Sequence, residues 1–347
     1  MRADRRAPYP MGPTPPLGEA LNAAELSIAP TNVRLDAPRL TVVASSGGPR
    51  LERRPPLPNP SSHEVIIQVE VAGICRTDLY AGRCQLGCPP GRILGHEFAG
   101  VVKAVGAAVD DLDIGTRVTA NPFLPCEKCP ACEKGEHANC QTPLFLGVDR
   151  DGAFADDVAV PRRAVHVVPP SLTWREAAYV EPVAASLAVI SAPLPPGKPG
   201  LVVGAGRIAL LTLRILKAYG FEDVEVASLH DLEGCTRSYA FVVETNAAKH
   251  GLGRALDVVE SGGLVVLKSR PAQPVPFALD LAVRRQLTLV GVHYAPFADA
   301  IELLASRRLQ VDDLLGPVYG LDECAHAFAA DQGHLKRFLS PGRTGGH

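Results

Sequence analysis

The second half of the chain carries the clearest hydrophobic pattern. Leu201-Val202-Val203 is a short apolar run fit for a buried strand. It stops at Gly204-Ala205-Gly206-Arg207-Ile208-Ala209, after which apolar residues recur at helical spacing through Tyr219. Residues 223–227 and 239–243 predict two further strands, 255–259 a helix, Gly262-Gly263 a turn into a strand at 264–267, and 287–290 a last strand. Strands alternating with helical segments predict a parallel sheet. Earlier, residues 64–71 alternate with the period of two of a half-buried strand. Residues 1–38 show no such pattern: seven are proline, four arginines balance four acids, and the segment reads as a disordered, solvated tail.

At 347 residues the chain has room for two domains. Its composition, 46% apolar and 21% charged, is that of a folded globular protein. With 35 Lys+Arg against 37 Asp+Glu and no basic block, it lacks the electrostatic footprint of a nucleic-acid or membrane-surface binder, so a small-molecule partner is expected. The longest apolar stretches are interrupted, 177–195 by Glu181 and Pro182 and 201–215 by Arg207 and Arg214, and neither predicts a membrane span. The apolar segment of a secretory signal is missing; Arg2, Arg5 and Arg6 crowd the start as in a transit peptide, the weaker alternative because acids are not excluded there, and a cytoplasmic location is expected.

Nine cysteines stand at 75, 84, 88, 126, 129, 132, 140, 235 and 324. Four of them form the run Cys126-Glu-Lys-Cys129-Pro-Ala-Cys132-Glu-Lys-Gly-Glu-His-Ala-Asn-Cys140, a clustering that favours metal over disulfides. Intervals of 3, 3 and 8 let one lobe wrap four thiolates around one ion. Zinc suits such a closed tetrahedral site best; an iron–sulfur cluster and an unmetallated redox cluster are the alternatives. With every position filled by protein, the ion would hold a loop rather than bind substrate. A second, dispersed set comprises Cys75-Arg76-Thr77-Asp78 after the 64–71 strand and Gly95-His96-Glu97 downstream, offering three different zinc-ligand types.

Taken together, Gly73-Ile74-Cys75-Arg76-Thr77-Asp78, Leu94-Gly95-His96-Glu97, the four-cysteine lobe and Glu181-Pro182 resemble the zinc-containing medium-chain dehydrogenase/reductase family, over residues 39–342. The resemblance implies a GroES-like β-barrel catalytic domain at 39–184 and 294–347, interrupted by a truncated Rossmann-type domain at 185–293, with the active site in the cleft. It also implies two zinc ions per chain. Cys75 and His96 resemble catalytic zinc ligands, Glu97 a third ligand or an exchanging neighbour, and Glu181 the remaining carboxylate, bound directly or through water. Cys126, Cys129, Cys132 and Cys140 resemble the ligands of the structural zinc. Thr77 resembles the hydroxyl that passes the alcohol proton onward, and Asp78 the carboxylate that orients the histidine ligand. Arg76 occupies a position that in some members touches the cofactor pyrophosphate, and Tyr80 one where some alcohol dehydrogenases end a proton relay in histidine. The alternative for Thr77 and Asp78 is that they cap a helix starting after Cys75. Cys84 and Cys88 read as free thiols.

In the nucleotide half, Gly204 permits a tight turn, Gly206 lets backbone approach a pyrophosphate where Arg207 and Ile208 open the helix, and Ala209 allows close helix–strand packing. The next strand ends at Ser228, where an acid would hold the ribose of NAD; a neutral serine leaves room for a 2′-phosphate, with Arg207 or His230 to supply charge, and leans the reading from NAD towards NADP. Only sixteen residues lead from Ser228 to Glu244, so one βαβ unit, roughly 30 residues, is missing together with the third strand at the sheet edge. The expected activity is zinc-dependent, NAD(P)-linked dehydrogenation of a secondary alcohol, polyol or sugar-type substrate by a homodimer or homotetramer. A zinc-stabilised scaffold that has lost cofactor binding, or a lyase or isomerase on the same fold, is the rival, since fold alone does not establish function.

Overall fold

The structure, a computed structural model, describes residues 38–246, 251–271, 273–329 and 335–342. Apart from Pro38, the tail expected over residues 1–38 lies outside the described residues.

An antiparallel pair, β1 (Arg39–Val43) and β2 (Arg50–Arg54), comes first. The alternating segment forms β3 (Glu64–Gly73), extended past its pattern because Ala72 and Gly73 still pair with Phe98 and Glu97. Helix α1 (Arg76–Ala81) leaves its end, and β4 (Glu97–Val105) returns antiparallel along it. Then come β5 (Arg117–Ala120) and a small pair, β6 (Phe123–Leu124) with β7 (Leu144–Phe145), which encloses α2 (Pro130–Glu133). Strands β8 (Asp157–Pro161) and β9 (Val165–Val167) complete this half. Helices α3 (Trp174–Ala178) and α4 (Val180–Leu187) lead out of it; every residue of α4 is buried, Glu181 included.

The inserted segment runs β10 (Gly200–Val203), α5 (Arg207–Ala218), β11 (Val224–Ala227), β12 (Tyr239–Glu244), α6 (Gly251–Val258), β13 (Val259–Leu267), α7 (Leu279–Arg284) and β14 (Thr288–Gly291). Its five strands are all parallel in the order β11-β10-β12-β13-β14. Both faces are covered, Val202, Phe241 and Val243 packing with Leu216 on one side and Leu201, Val203 and Val242 with Leu256 on the other. The helix expected through Val259 ends at Val258: Val259 already pairs with Tyr239, and β13 crosses an irregular stretch at Gly262 (φ +78) before its ladder resumes at Leu264 opposite Phe241. Strand β11 is an edge among the described residues, where the shortened connection 228–238 leaves no further strand.

Helix α8 (Phe297–Ala305), β15 (Leu315–Gly320), α9 (Cys324–Ala329) and β16 (Lys336–Ser340) bring the chain back. Strand β16 pairs with β3, completing a sheet in the order β15-β16-β3-β4-β5-β9 with β8 also on β3. The architecture is therefore the expected one, a β-rich GroES-like unit with a Rossmann-like parallel sheet inserted. A shared core of Val180 and Val183 from α4, Leu211 and Ile215 from α5 and Phe297 and Leu303 from α8 joins the two parts. No helix of the described residues is long and apolar enough to cross a membrane.

Candidate active site

Cys75 lies two residues beyond β3 and caps α1 in an extended conformation, its N–H donating to Asp78 Oδ2 at 2.8 Å. The other oxygen of Asp78 accepts the Gly95 N–H at 3.2 Å and lies 3.2 Å from His96 Nδ1. Helix capping and histidine orientation are thus two jobs of one buried carboxylate, not rival readings. With Nδ1 turned to Asp78, Nε2 is the nitrogen left for a metal. Gly95 makes the approach possible: its φ is +96, and a Cβ there would stand 2.6 Å from the Phe154 ring. Burial opposes the imidazolium, but the Asp78 charge and hydrogen bond and the adjacent Cys75 outweigh it, holding His96 well above its ordinary value.

One ligand atom each from Cys75, His96 and Glu97 lies within 4.8 Å of the other two. Glu97 is ion-paired with Lys336 of β16, and both side chains are buried. Glu181 stands outside this triad; its carboxylate accepts the hydroxyl of Tyr294. Burial, then the nearby Glu97 charge, push Glu181 up, while burial and Glu181 hold Tyr294 well above its ordinary value and keep its hydroxyl a donor. Thr77 Oγ1 lies 3.8 Å from Cys75 Sγ. On the same helix Arg76 is exposed and Tyr80 half-buried. Cys84 and Cys88 are free thiols, with Cys88 pushed up to about 11 by burial.

Cys126, Cys129, Cys132 and Cys140 bring four sulfurs within 4.8 Å of one another. Glu127 turns the chain at φ +61, Cys129 caps α2 with Pro130 behind it, and the Cys126 N–H donates to Cys140 Sγ at 3.2 Å. The Thr142 hydroxyl and Lys128 backbone pull Cys126 down to about 5, backbone groups of Gln141 and Cys132 lower Cys129, and burial pushes Cys132 up to about 12. Four convergent sulfurs with no open position fit a structural zinc.

In the parallel sheet, a Cβ on Gly204 would meet Thr245 Oγ1 at 2.3 Å, whereas nothing lies within 4 Å of a Cβ built on Gly206, which caps the twelve-residue α5. Gly206, Arg207 and Ile208 thus stand at a helix N-terminus with open space before it, a fit for a pyrophosphate. Ala209 is buried against the sheet. Ser228 N–H and Oγ both donate to Asp231 Oδ2, at 2.8 and 2.6 Å. An acid therefore does stand at the end of β11, three residues beyond the position searched in the sequence. The Ser-x-x-Asp capping spacing was the available signal.

Four further residues escaped the sequence reading: Lys268 and Arg270 beyond β13, and His293 and Tyr294 beyond β14. Arg270 Nη1 lies 3.0 Å from His293 Nε2, and its guanidinium faces the rings of Tyr294 and Phe145 at 5.4 and 5.9 Å. Phe145 in turn touches His96, with 5.2 Å between ring centres. Ligands of parallel sheets gather beyond the carboxyl ends of the strands, a rule that singles out these positions.

Residues 61–170 match the profile of the alcohol dehydrogenase GroES-like domain. Sorbitol dehydrogenase of Bacillus subtilis (strain 168) is 29% identical over 308 residues, covering 78% of this chain and 87% of the relative. L-galactonate-5-dehydrogenase of Escherichia coli (strain K12) is 28% identical over 307 residues, covering 79% of this chain and 90% of the relative. Among solved structures, a zinc-binding dehydrogenase of Sinorhizobium meliloti 1021 bound to NADP shares the fold with a TM-score of 0.80 at 24% identity, over 88% of this chain and 100% of that one.

Proposed function

Because the chain belongs to the zinc-containing medium-chain dehydrogenase/reductase family, we propose that it transfers a hydride between a nicotinamide dinucleotide and a secondary alcohol, polyol or sugar-type substrate at Cys75 and His96. The observation that carries this reading is the convergence of Cys75, His96 and Glu97 within 4.8 Å, with His96 oriented by Asp78. A thiolate, an imidazole and a buried carboxylate suit zinc. When bound, zinc supplies Lewis acidity that lowers the pKa of an alcohol, and the nicotinamide accepts or returns the hydride.

The chain's own residues do the rest. Asp78 holds the His96 ring, and Lys336 engages Glu97, which leaves a position for the alcohol oxygen. Thr77 takes the alcohol proton and passes it towards Tyr80 and solvent. Tyr294 orients Glu181 at the edge of the site. The alcohol carbon gives up hydrogen with two electrons and its oxygen gives up a proton, leaving a carbonyl. Gly206, Arg207 and Ile208 receive the pyrophosphate, with Arg76 facing it from α1. The four-thiolate lobe binds a second zinc and fixes the loop between β6 and β7.

Ser228 alone favours NADP, but Asp231, held on Ser228, puts negative charge where a 2′-phosphate would approach, and NAD(H) is the proposed cofactor. The exposed edge of β14 beside Leu279 and Val283, which are 65% and 67% exposed, supports a homodimer joined along that edge. Calorimetric titration of zinc-loaded protein with NADH and separately NADPH tests the reading. Binding with preference for NADH is expected. No binding of either, with two zincs per chain verified, would overturn it in favour of a non-redox scaffold.

A further inference from the structure

A dinucleotide-binding sheet is built from two mononucleotide-binding halves of three strands each, and here the halves are unequal. The Gly206 turn and the acid after β11 mark β10 and β11 as the adenosine half, which has no third strand among the described residues. Residues 228–238 connect β11 directly to β12. The other half, β12, β13 and β14, is complete. Beyond its carboxyl ends flat groups pack on one another and reach the Cys75–His96 site: His293 lies 4.5 Å from Tyr294 and 5.1 Å from Phe123, and the Arg270 guanidinium faces Tyr294 and Phe145. The nicotinamide side has walls.

The connection 228–238 offers none to a purine. Its apolar side chains turn to the sheet: Leu232 is 3% exposed and packs with Leu201, Val203 and Leu256, and Leu229 and Cys235 pack against the same core. Its two flat groups are placed elsewhere. Arg237 is held by Asp223 and Glu225 and faces the Tyr239 ring, while the His230 side chain is 90% exposed with Nδ1 3.6 Å from Glu233 Oε2. Leu229 also closes the crevice itself. It follows β11, whereas Gly251 follows β12, yet Leu229 Cδ1 stands 3.8 Å from the Cβ position of Gly251, so the contact crosses the end of β10, the strand between them. Thr245 covers the same strand end from the β12 side, its Oγ1 donating to the Val203 carbonyl at 2.8 Å. On the α5 side the Gly206 turn stays open, so a phosphate has a place and the base does not.

We propose that the chain recognises its cofactor by phosphate and nicotinamide and gains little from adenine, so that nicotinamide mononucleotide serves it about as well as the dinucleotide. The inference rests on the dehydrogenase reading. The redox step is the same with either carrier: the alcohol carbon passes hydrogen with two electrons to the nicotinamide ring, which ends reduced, and the proton leaves from the oxygen. A base stacked on an aromatic side chain gains roughly 10- to 100-fold in affinity, and this is the contribution that residues 228–238 forgo. Asp231 repels a 2′-phosphate whether or not the base is held, so the choice of NAD over NADP does not depend on an adenine site.

The test is calorimetric titration of zinc-loaded, full-length protein with NADH, reduced nicotinamide mononucleotide, AMP and ribose 5-phosphate, in the wild type and in Gly206→Ala. The mononucleotide should bind within about 10-fold of NADH, and AMP no more than about 3-fold tighter than ribose 5-phosphate. Gly206→Ala should weaken NADH and the mononucleotide by the same factor, because both place phosphate at that turn. A larger gap between NADH and the mononucleotide, or between AMP and ribose 5-phosphate, would overturn the proposal and leave the dehydrogenase reading intact. So would a Gly206→Ala protein that loses NADH alone, since the mononucleotide would then sit elsewhere. Binding of neither reduced nicotinamide would sink the dehydrogenase reading itself, and this inference with it.

Discussion

Asp78 and His96 meet at 3.2 Å with side chains only 1% and 2% exposed, and the same carboxylate holds the N–H of Cys75. Two candidate ligands that stand 21 positions apart are thereby fixed by one residue. Asp78→Ala should weaken zinc at this site by about 10- to 100-fold, read by competition with a chromogenic chelator. A loss of helix stability with unchanged zinc affinity would reduce Asp78 to a cap.

Gly206 offers a cleaner probe of the nucleotide site than Gly204, because a methyl there meets no protein atom within 4 Å and its backbone suits any residue. Gly206→Ala should cost no more than about 1 kcal/mol of folding stability, the usual penalty for alanine at a helix N-cap. Dinucleotide binding should nevertheless weaken, because the methyl occupies the space where the pyrophosphate approaches. Equal NADH affinity in calorimetry would remove the pyrophosphate from this turn.

The strands of the parallel sheet were readable because each is a short apolar run bounded by glycine, proline or polar residues. The start of β13 at Val259 was not, since Gly262 and Gly263 interrupt its pattern. Cys75, His96, Glu97 and the four clustered cysteines stood out by residue type and local spacing. Lys336, Tyr294 and Arg270 did not, because their partners are distant in sequence: Tyr294 meets Glu181 across 113 residues, and nothing near Lys336 announces that it will be buried against Glu97. Asp231 is hidden for a nearer reason: the ribose acid is expected directly after the strand, where Ser228 stands, and Asp231 lies three residues further on.

Removing one sulfur separates the two metal sites. Cys132→Ser should lower zinc from two ions per chain to one and loosen the 126–140 lobe, while the Cys75 site keeps its ion. Metal analysis after dialysis, with limited proteolysis of the lobe, reads both effects. Two zincs retained in Cys132→Ser would contradict the four-thiolate assignment.

Glu176 gives a pH-dependent signature of the fold. Burial opposes its charge, but hydrogen bonds from Thr173 and then Arg307 outweigh it and hold the carboxyl below its ordinary 4.5. A carboxyl lowered in the folded state stabilises above the ordinary range, and the contribution is lost as pH falls through the folded value. Glu176→Gln should therefore cost about 1–3 kcal/mol near neutral pH and progressively less in acid. Urea unfolding of both proteins across that range checks it; a difference independent of pH would contradict the sign.

The central claim is hydride transfer at the Cys75–His96 site, and the most direct measurement follows reduced nicotinamide when zinc-loaded protein is given NAD and a panel of neutral, acidic and phosphorylated polyols. Wild type should form NADH with at least one of them, and Cys75→Ser should form none while keeping its four-thiolate zinc and its fold. Turnover undiminished in Cys75→Ser, or none in wild-type protein that holds two zincs and binds NADH, would contradict the account.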